Sequence, residues 1–386
     1  MNPLLTSKYG CWVSDRKVFS SKIEALIHAS QNKSKYVSFY YHNHIWDNFD
    51  RSQLGKVSLP TLYKQRAQQL RDQYDHLVLH YSGGSDSHNI LHTFLSNNIQ
   101  LDEISVRWAK PLIDGKFYSP NNIDTSASNA PSEWNYTIKP ALEKIRLEHP
   151  KIKITIVDFT ENYGSIDFSE KSIEQVLLNS GMTVGALGSV AQRIDSKLEL
   201  MSCSTTENKK IGHIFGVEKP MLSAYDGNIN MIFQDSMLEV AVLGNAMKKN
   251  SAEMFYWTPD LPLLPMEQAY QSSLFFKNKS DLLYKIGSSE YEEMKSLTGR
   301  LKLHNQILYA ESWDNTKFQV SKPNSTRSDW WSWIHKSSEL NTFQQSFNHF
   351  MKNVTANINQ QYLNCSGNVP ILSPIKSKPF HILSLT

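Results

Sequence analysis

The chain has 386 residues, 40% of them hydrophobic and 20% charged, with a net charge of only +3. That is material for one large core or two smaller ones, and so small a basic excess does not imply nucleic-acid binding without a local patch. No apolar run is long enough for a membrane span, and Cys11, Cys203 and Cys365 are too scattered for a zinc ribbon or a disulfide framework. The opening stretch Met1–Lys8 lacks the apolar core of a signal peptide, so a cytoplasmic location is expected.

Residues 1–57 read as a small α/β cap: a hairpin over Tyr9–Phe19, a helix over Ser21–Ser30 and an aromatic strand over Tyr36–His42. Ser58 is placed to cap a helix running to about Tyr74, with Leu59, Leu62, Ala67 and Leu70 on its inner side. Strand and helix patterns then alternate. His76–Tyr81, Glu103–Trp108 and Ile152–Phe159 read as strands, with helices over Ser87–Ser96 and Ser132–Glu148 between them. Such alternation predicts a parallel sheet with right-handed crossovers. Glu170–Asn179 and Val184–Ser202 read as helices, Lys210–Phe215 as a further strand, and Asn228–Gln234 as a strand after an Asp-Gly-Asn turn. This α/β region, residues 58–262, is expected to end near Pro262–Pro265. Residues 263–386 read as mostly helical, over Met266–Phe275, Ser280–Ile286, Glu290–Leu297 and Trp330–Val354, before an irregular tail punctuated by Pro370, Pro374 and Pro379.

The most telling segment joins the first strand of that alternation to its helix, as Ser82-Gly83-Gly84-Ser85-Asp86-Ser87. Glycines let a backbone approach a ligand closely, and the free N–H groups of a first helical turn attract anions. Ser82, Gly83, Gly84, Ser85 and Ser87 are therefore the phosphate-cradle candidates. Asp86 cannot favour phosphate directly. Its sensible ligand is Mg²⁺, which bridges phosphate oxygens, although helix capping alone accounts for an acid there.

This loop lacks the longer glycine spacing and Gly-Lys-Ser/Thr ending of a Walker loop. It resembles the SGGxDS loop of the PP-loop ATP pyrophosphatases, the adenine nucleotide alpha hydrolase-like superfamily, and within it the synthetase domain of asparagine synthetases. The resemblance covers the middle half of the chain. It implies a three-layer α/β/α (HUP-like) domain between the cap and the helical region. It further implies cleavage of ATP between α and β phosphates, with the loop holding the β and γ phosphates, Mg²⁺ as the metal and an adenylated substrate as intermediate. In that family adenine lies against the end of the second strand, which implicates Val106 and Arg107 together with Trp108, largely through backbone.

A second segment, Gly212 to Pro220, ends a strand at Phe215 and turns at Gly216. By resemblance to the acid-bearing loop of asparagine synthetases, Glu218 is a candidate base towards an amine and Lys219 a stabiliser of phosphate charge. The Gly-Val-Glu-Lys here is shorter than the family pattern, and a surface Glu–Lys turn explains it equally. Ser126–Tyr136 starts a helix near the same edge, where Asn129 or Glu133 could touch substrate, though a Ser132 cap suffices. Glu253–Asp260 is dense in aromatics and reads as a seam or a pocket wall. His88 and His92 have i, i+4 spacing without the glutamate of a zinc helix and read as ordinary helix residues.

The expected function is an ATP-dependent, AMP-forming ligase making an amide or C–N bond. Its substrate would carry a carboxylate or amide-like oxygen, and its nucleophile would be an amine or ammonia. Asn2 stands where a glutaminase cysteine would be, so ammonia would come free or from a separate glutaminase partner. A PP-loop nucleobase- or tRNA-modifying enzyme is the alternative. It is weakened by the absence of paired cysteines and of a strong basic surface, though a nucleic-acid acceptor stays open. A non-catalytic nucleotide-binding protein is the third reading.

Overall fold

The computed structural model describes residues 8–20, 22–32, 36–108, 134–158, 209–216, 219–225, 227–235, 250–278, 307–312, 345, 352, 356, 358–366 and 369–384. At the N-terminus β1 (Cys11–Ser14) and β2 (Lys17–Phe19) form an antiparallel hairpin, and β3 (Val37–Tyr40) pairs with the other edge of β1. The hairpin loop sets Asp15 and Arg16 at φ of 48° and 65°. Positive φ at both central residues matches the strand twist, here without a glycine. Helix α1 (Lys22–Gln31) packs on this sheet, and α2 (Asn43–Asp47) delivers the buried Trp46. The cap elements match the periodicity of the sequence.

Helix α3 (Leu59–Gln73) begins where Ser58 Oγ accepts the Thr61 N–H at 3.4 Å, with Pro60 in its first turn. Its buried stripe, Leu59, Leu62, Tyr63, Arg66, Ala67 and Leu70, follows helical spacing. It leads into β4 (His76–His80), whose Leu77, Val78 and Leu79 are all buried. Helix α4 (Ser85–Ser96) packs against β4 and α3. Strand β5 (Glu103–Trp108) follows, then a π-helical turn at Trp134–Ile138 leading into α5 (Lys139–Glu148), and then β6 (Lys153–Asp158). Together with β7 (Ile211–Phe215) and β10 (Asn250–Met254) these strands make a five-stranded, all-parallel sheet in the order β10-β7-β4-β5-β6. The chain is an α/β protein.

Numbered along the chain, that order is 5-4-1-2-3, so the direction of winding reverses between β4 and β7. Ligands in open α/β sheets bind outside the carboxyl ends of the strands at such a switch point. One face of the sheet departs from the apolar pattern of parallel strands. On it Glu103 accepts from Thr155 Oγ1 at 2.6 Å and Lys153 Nζ at 3.0 Å, and His80 Nε2 lies 3.0 Å from His213 Nδ1.

A second, antiparallel sheet joins β8 (Met221–Tyr225), β9 (Asn228–Ile232) and β13 (Phe380–Ser384), while β11 (Leu363–Ser366) and β12 (Val369–Leu372) form a separate hairpin. The tail is therefore not irregular. Pro370 is tolerated because β12 belongs to a two-stranded ribbon, where a missing N–H need not break a ladder. Strands β8 and β10 also escape the sequence periodicity.

Helix α6 (Leu263–Lys277) packs on α3 and β13, and its buried Leu264, Met266 and Ala269 join the hydrophobic cluster that includes Trp12, Trp46 and Leu79. The prolines at 262–265 thus begin a helix that shares its core with the residues before it. The expected helices at 170–179, 184–202, 280–286 and 290–297 lie outside the described residues, as does most of 330–354. Lys22 Nζ and Asp235 Oδ2 form a fully buried ion pair at 2.8 Å. Trp12 Nε1 donates to the same carboxylate at 2.9 Å, and Lys22 also donates to the Ser373 carbonyl at 2.8 Å. Two charges so buried are tolerated only when the remaining valences are satisfied, as here.

Candidate functional site

The Tyr81 N–H still bonds β5, donating to the Ser105 carbonyl at 2.9 Å, before the chain leaves the sheet. Gly83 then takes φ of +76°, a conformation glycine adopts without strain. Gly84 caps α4 in an extended conformation, and its carbonyl accepts the His88 N–H at 3.0 Å. The loop is held from within by serines. Ser87 Oγ accepts the Ser82 N–H at 3.2 Å and donates to the Gly84 carbonyl at 3.1 Å, while Ser82 Oγ accepts the Gly84 N–H at 3.4 Å. Ser85 and Ser87 are buried and Ser82 is exposed. Ser87 therefore serves loop shape, and the anion-binding capacity of the turn resides chiefly in its backbone.

Gly84 has φ of −78°, and a Cβ there would meet nothing closer than Ser82 Oγ at 3.5 Å. Neither backbone nor packing demands glycine, so space is left open in front of the helix N-terminus. Gly216, just past β7, is the opposite case. A Cβ on it would come within 3.0 Å of the Ser87 backbone nitrogen and 3.1 Å of Ile90 Cδ1. Only glycine lets the end of β7 lie against the first turn of α4.

That close approach brings Lys219 over the loop. Its Nζ lies 2.7 Å from Asp86 Oδ1. Tyr309 OH donates to the same oxygen at 2.7 Å, and Tyr256 OH donates to the Asp86 carbonyl at 2.7 Å. Asn89 ties the cluster together, donating to Tyr256 OH at 3.0 Å and accepting from Ser312 Oγ at 2.7 Å. Burial first, and then the Asp86 carboxylate, push the Tyr309 and Tyr256 hydroxyls well above the ordinary phenol range, so both stay donors.

Of the residues singled out in the sequence, the fold brings together Ser82, Gly83, Gly84, Ser85, Asp86, Ser87 and Lys219. Glu218 lies outside the described residues, as do Asn129, Ser132 and Glu133. Val106 is a buried core side chain at the carboxyl-end half of β5, so only its backbone is available to a ligand. Arg107 and Trp108 continue β5 in register with Val157 and Asp158. The aromatic segment divides. Phe255 and Trp257 are core, whereas Tyr256 reaches the loop. Tyr309 carried no sequence signal, because its contact with Asp86 spans 223 positions.

His80 also went unread as a site residue. Its ring stacks on Phe215 at 4.3 Å and 6°, at the carboxyl ends of β4 and β7. Strand alternation gives the available signal, since His76 and His80 share a face with His213. His88 bonds Tyr81 OH through Nδ1 at 3.0 Å, and burial, then His92 and Lys144, lower its pKa to about 4.

Among the described residues no group of three or more His, Cys, Asp or Glu gathers to hold a metal. Mg²⁺ commonly takes only one or two carboxylates and completes its shell with phosphates and water. Asp86 fits that role: Lys219 and Tyr309 both use Oδ1, and Oδ2 has no partner among the described residues. Among the described residues, no helix is long and apolar enough to cross a membrane. The sequence matches no protein-family model and no curated protein.

Proposed function

We propose that this chain is an ATP-dependent, AMP-forming ligase that activates a carboxylate or amide-like oxygen and joins it to an amine or ammonia. The observation that carries this reading is the glycine loop at the carboxyl end of the central strand β4, at the switch point, with Lys219 directed at it from β7. The backbone N–H groups around Gly84 and the first turn of α4 would hold the β and γ phosphates. Lys219 would bind the polyphosphate and offset charge as the α–β bond breaks. Asp86 would hold Mg²⁺ through Oδ2. When bound, the metal supplies charge neutralisation on the departing pyrophosphate. Adenine would lie along the backbone of 106–108, and Glu218 remains the candidate base for the incoming nucleophile. A nucleotide-binding protein without turnover is the second reading, favoured by the ion pair with which Lys219 neutralises Asp86.

The test is product identity. Protein, ATP and Mg²⁺ are incubated with panels of amino acids, amines and nucleic acids, and AMP, ADP, pyrophosphate and phosphate are quantified. AMP with stoichiometric pyrophosphate is the expected outcome. ADP with phosphate would overturn the α–β cleavage, and nucleotide binding with no product from any panel would favour the second reading.

A further inference from the structure

Asp86 holds two donors on one oxygen, and the two are anchored very differently. Tyr309 is fixed. Its ring lies 5.6 Å from that of Tyr256 and 6.2 Å from that of Tyr63. The segment carrying it is tied to α3 by Tyr63 OH donating to the Leu308 carbonyl at 2.9 Å, and to α4 by Ser312. Lys219 reaches the same oxygen on a long unbranched stem from the segment after β7, with its Nζ 5.1 Å from the Tyr309 ring centroid and its side chain 15% exposed. An ammonium is a compact, non-directional charge and changes partners readily. A polyphosphate arriving at the loop competes for it directly.

We propose that Lys219 is a placeholder cation on Asp86, and that Tyr309 is a positioning residue holding the carboxylate still while Lys219 is exchanged for a metal–nucleotide. The proposal rests on the ATP-binding reading above and adds an order of binding to it. With Lys219 in place, a divalent cation on Oδ2 would sit a few Å from an ammonium, and like charge at that distance opposes it. A nucleoside triphosphate draws the ammonium onto its phosphates and removes the repulsion. The divalent ion therefore enters with the nucleotide, not ahead of it. Tyr309 keeps Oδ1 occupied throughout, so Oδ2 continues to face the site.

The full chain can be titrated with Mn²⁺, followed by electron paramagnetic resonance of the free ion, with and without α,β-methylene-ATP, which cannot be cleaved between α and β. The unmodified protein should bind Mn²⁺ at least tenfold more weakly alone than with the analogue. Lys219→Met should bind Mn²⁺ alone at least tenfold more tightly than the unmodified protein, and adding Asp86→Asn should erase that gain. Tyr309→Phe should weaken Mn²⁺ binding several-fold in the presence of the analogue. A Tyr41→Phe control removes a buried hydroxyl that bonds the Ile375 carbonyl and holds neither Asp86 nor the Tyr309 segment, and should leave Mn²⁺ binding unchanged. Thermal unfolding checks that each variant is folded, with Lys219→Gln as the substitute if the methionine variant is not.

Equal Mn²⁺ affinity of the unmodified protein and a folded Lys219 variant, without nucleotide, would overturn the placeholder role. Equal effects of Tyr309→Phe and Tyr41→Phe would overturn the positioning role. None of these readings needs turnover, so a failure of AMP formation and a failure of this exchange are separately visible.

Discussion

Two carboxylates next to the same parallel sheet, Glu253 on β10 and Asp86 on α4, have opposite surroundings. Both oxygens of Glu253 are filled. Lys8 reaches each at 2.9 Å, Arg66 donates at 2.8 Å, and Tyr9, Tyr74 and Gln73 complete the shell. Its side chain is 1% exposed, against 32% for Asp86. Burial alone would raise the Glu253 carboxyl, but Arg66 and Lys8, helped by the Tyr74 and Tyr9 hydroxyls, hold it at about 2. Among the described residues, Asp86 has donors on one oxygen only. The saturated acid is a bracket between the N-terminal segment, α3 and β10. The half-saturated acid, beside a glycine loop, has coordination to offer.

The sharpest way to break this contrast is to neutralise each acid. Glu253→Gln leaves Arg66 buried without its counter-charge, while Lys8 keeps Asp260 at 2.8 Å, and should lower unfolding free energy by about 3–5 kcal/mol, read from urea denaturation midpoints. A loss below about 1 kcal/mol would show that the network is not a bracket. Asp86→Asn should do the reverse, reducing pyrophosphate release at least a hundredfold, about 3 kcal/mol in the transition state. Its partly exposed ion pair with Lys219 contributes only about 1 kcal/mol to stability, so unchanged activity in a folded Asp86→Asn protein would remove it from the chemistry.

Acid titration extends the comparison to a third group. His88 has its pKa lowered from 6.5 to about 4, so the folded protein favours the neutral ring. Its contribution is complete above pH 6.5 and is lost as pH falls towards 4, up to about 3 kcal/mol. Glu253 likewise contributes fully above its ordinary 4.5 and loses that contribution as pH falls towards 2. Stability should therefore decline in two windows, and His88→Gln should flatten the upper one alone. A profile unaltered by that substitution would relieve His88 of the role. The smallest expected effect on stability belongs to Gly84→Ala. The fold has room for the methyl group and the melting temperature should hold, while nucleotide affinity drops about tenfold, about 1.4 kcal/mol. Equal nucleotide affinity would mean that the open space before α4 is not a phosphate seat.

Much of the framework was legible because local signals agreed with the tertiary outcome. A β-rich run ending in His80, then glycines, then a helical stripe through Ile90, Leu91 and Phe94 describes one structure at every level. Ser58 announced α3 in the same way. Strand β10 was hidden because Asn-Ser-Ala-Glu-Met has little β propensity and becomes a strand by pairing beside β7. The tail misled through its prolines, which mark breaks locally and say nothing of β13 pairing with β9. Within the site, the loop could be read from its glycines, Lys219 from its place just after a strand end, and Tyr256 only as one of an aromatic segment. Tyr309 and Ser312 could not, since they meet α4 only after the chain has folded back.

The buried Lys22–Asp235 pair has a consequence for synthesis. The Lys22 ammonium needs Asp235 and the Ser373 carbonyl, and the Ile375 N–H donates to Asp235 Oδ1 at 2.7 Å. A nascent chain can form α1 and its hairpin early, but it cannot satisfy that ammonium until residues 373–375 have left the ribosome. Closure so distant along the chain is slow and exposes apolar surface in the meantime. Chains stopped before Ser373 would lack the carbonyl and the Ile375 N–H that complete this buried pair. Closure of the N-terminal layer is thereby tied to synthesis of residues 373–375.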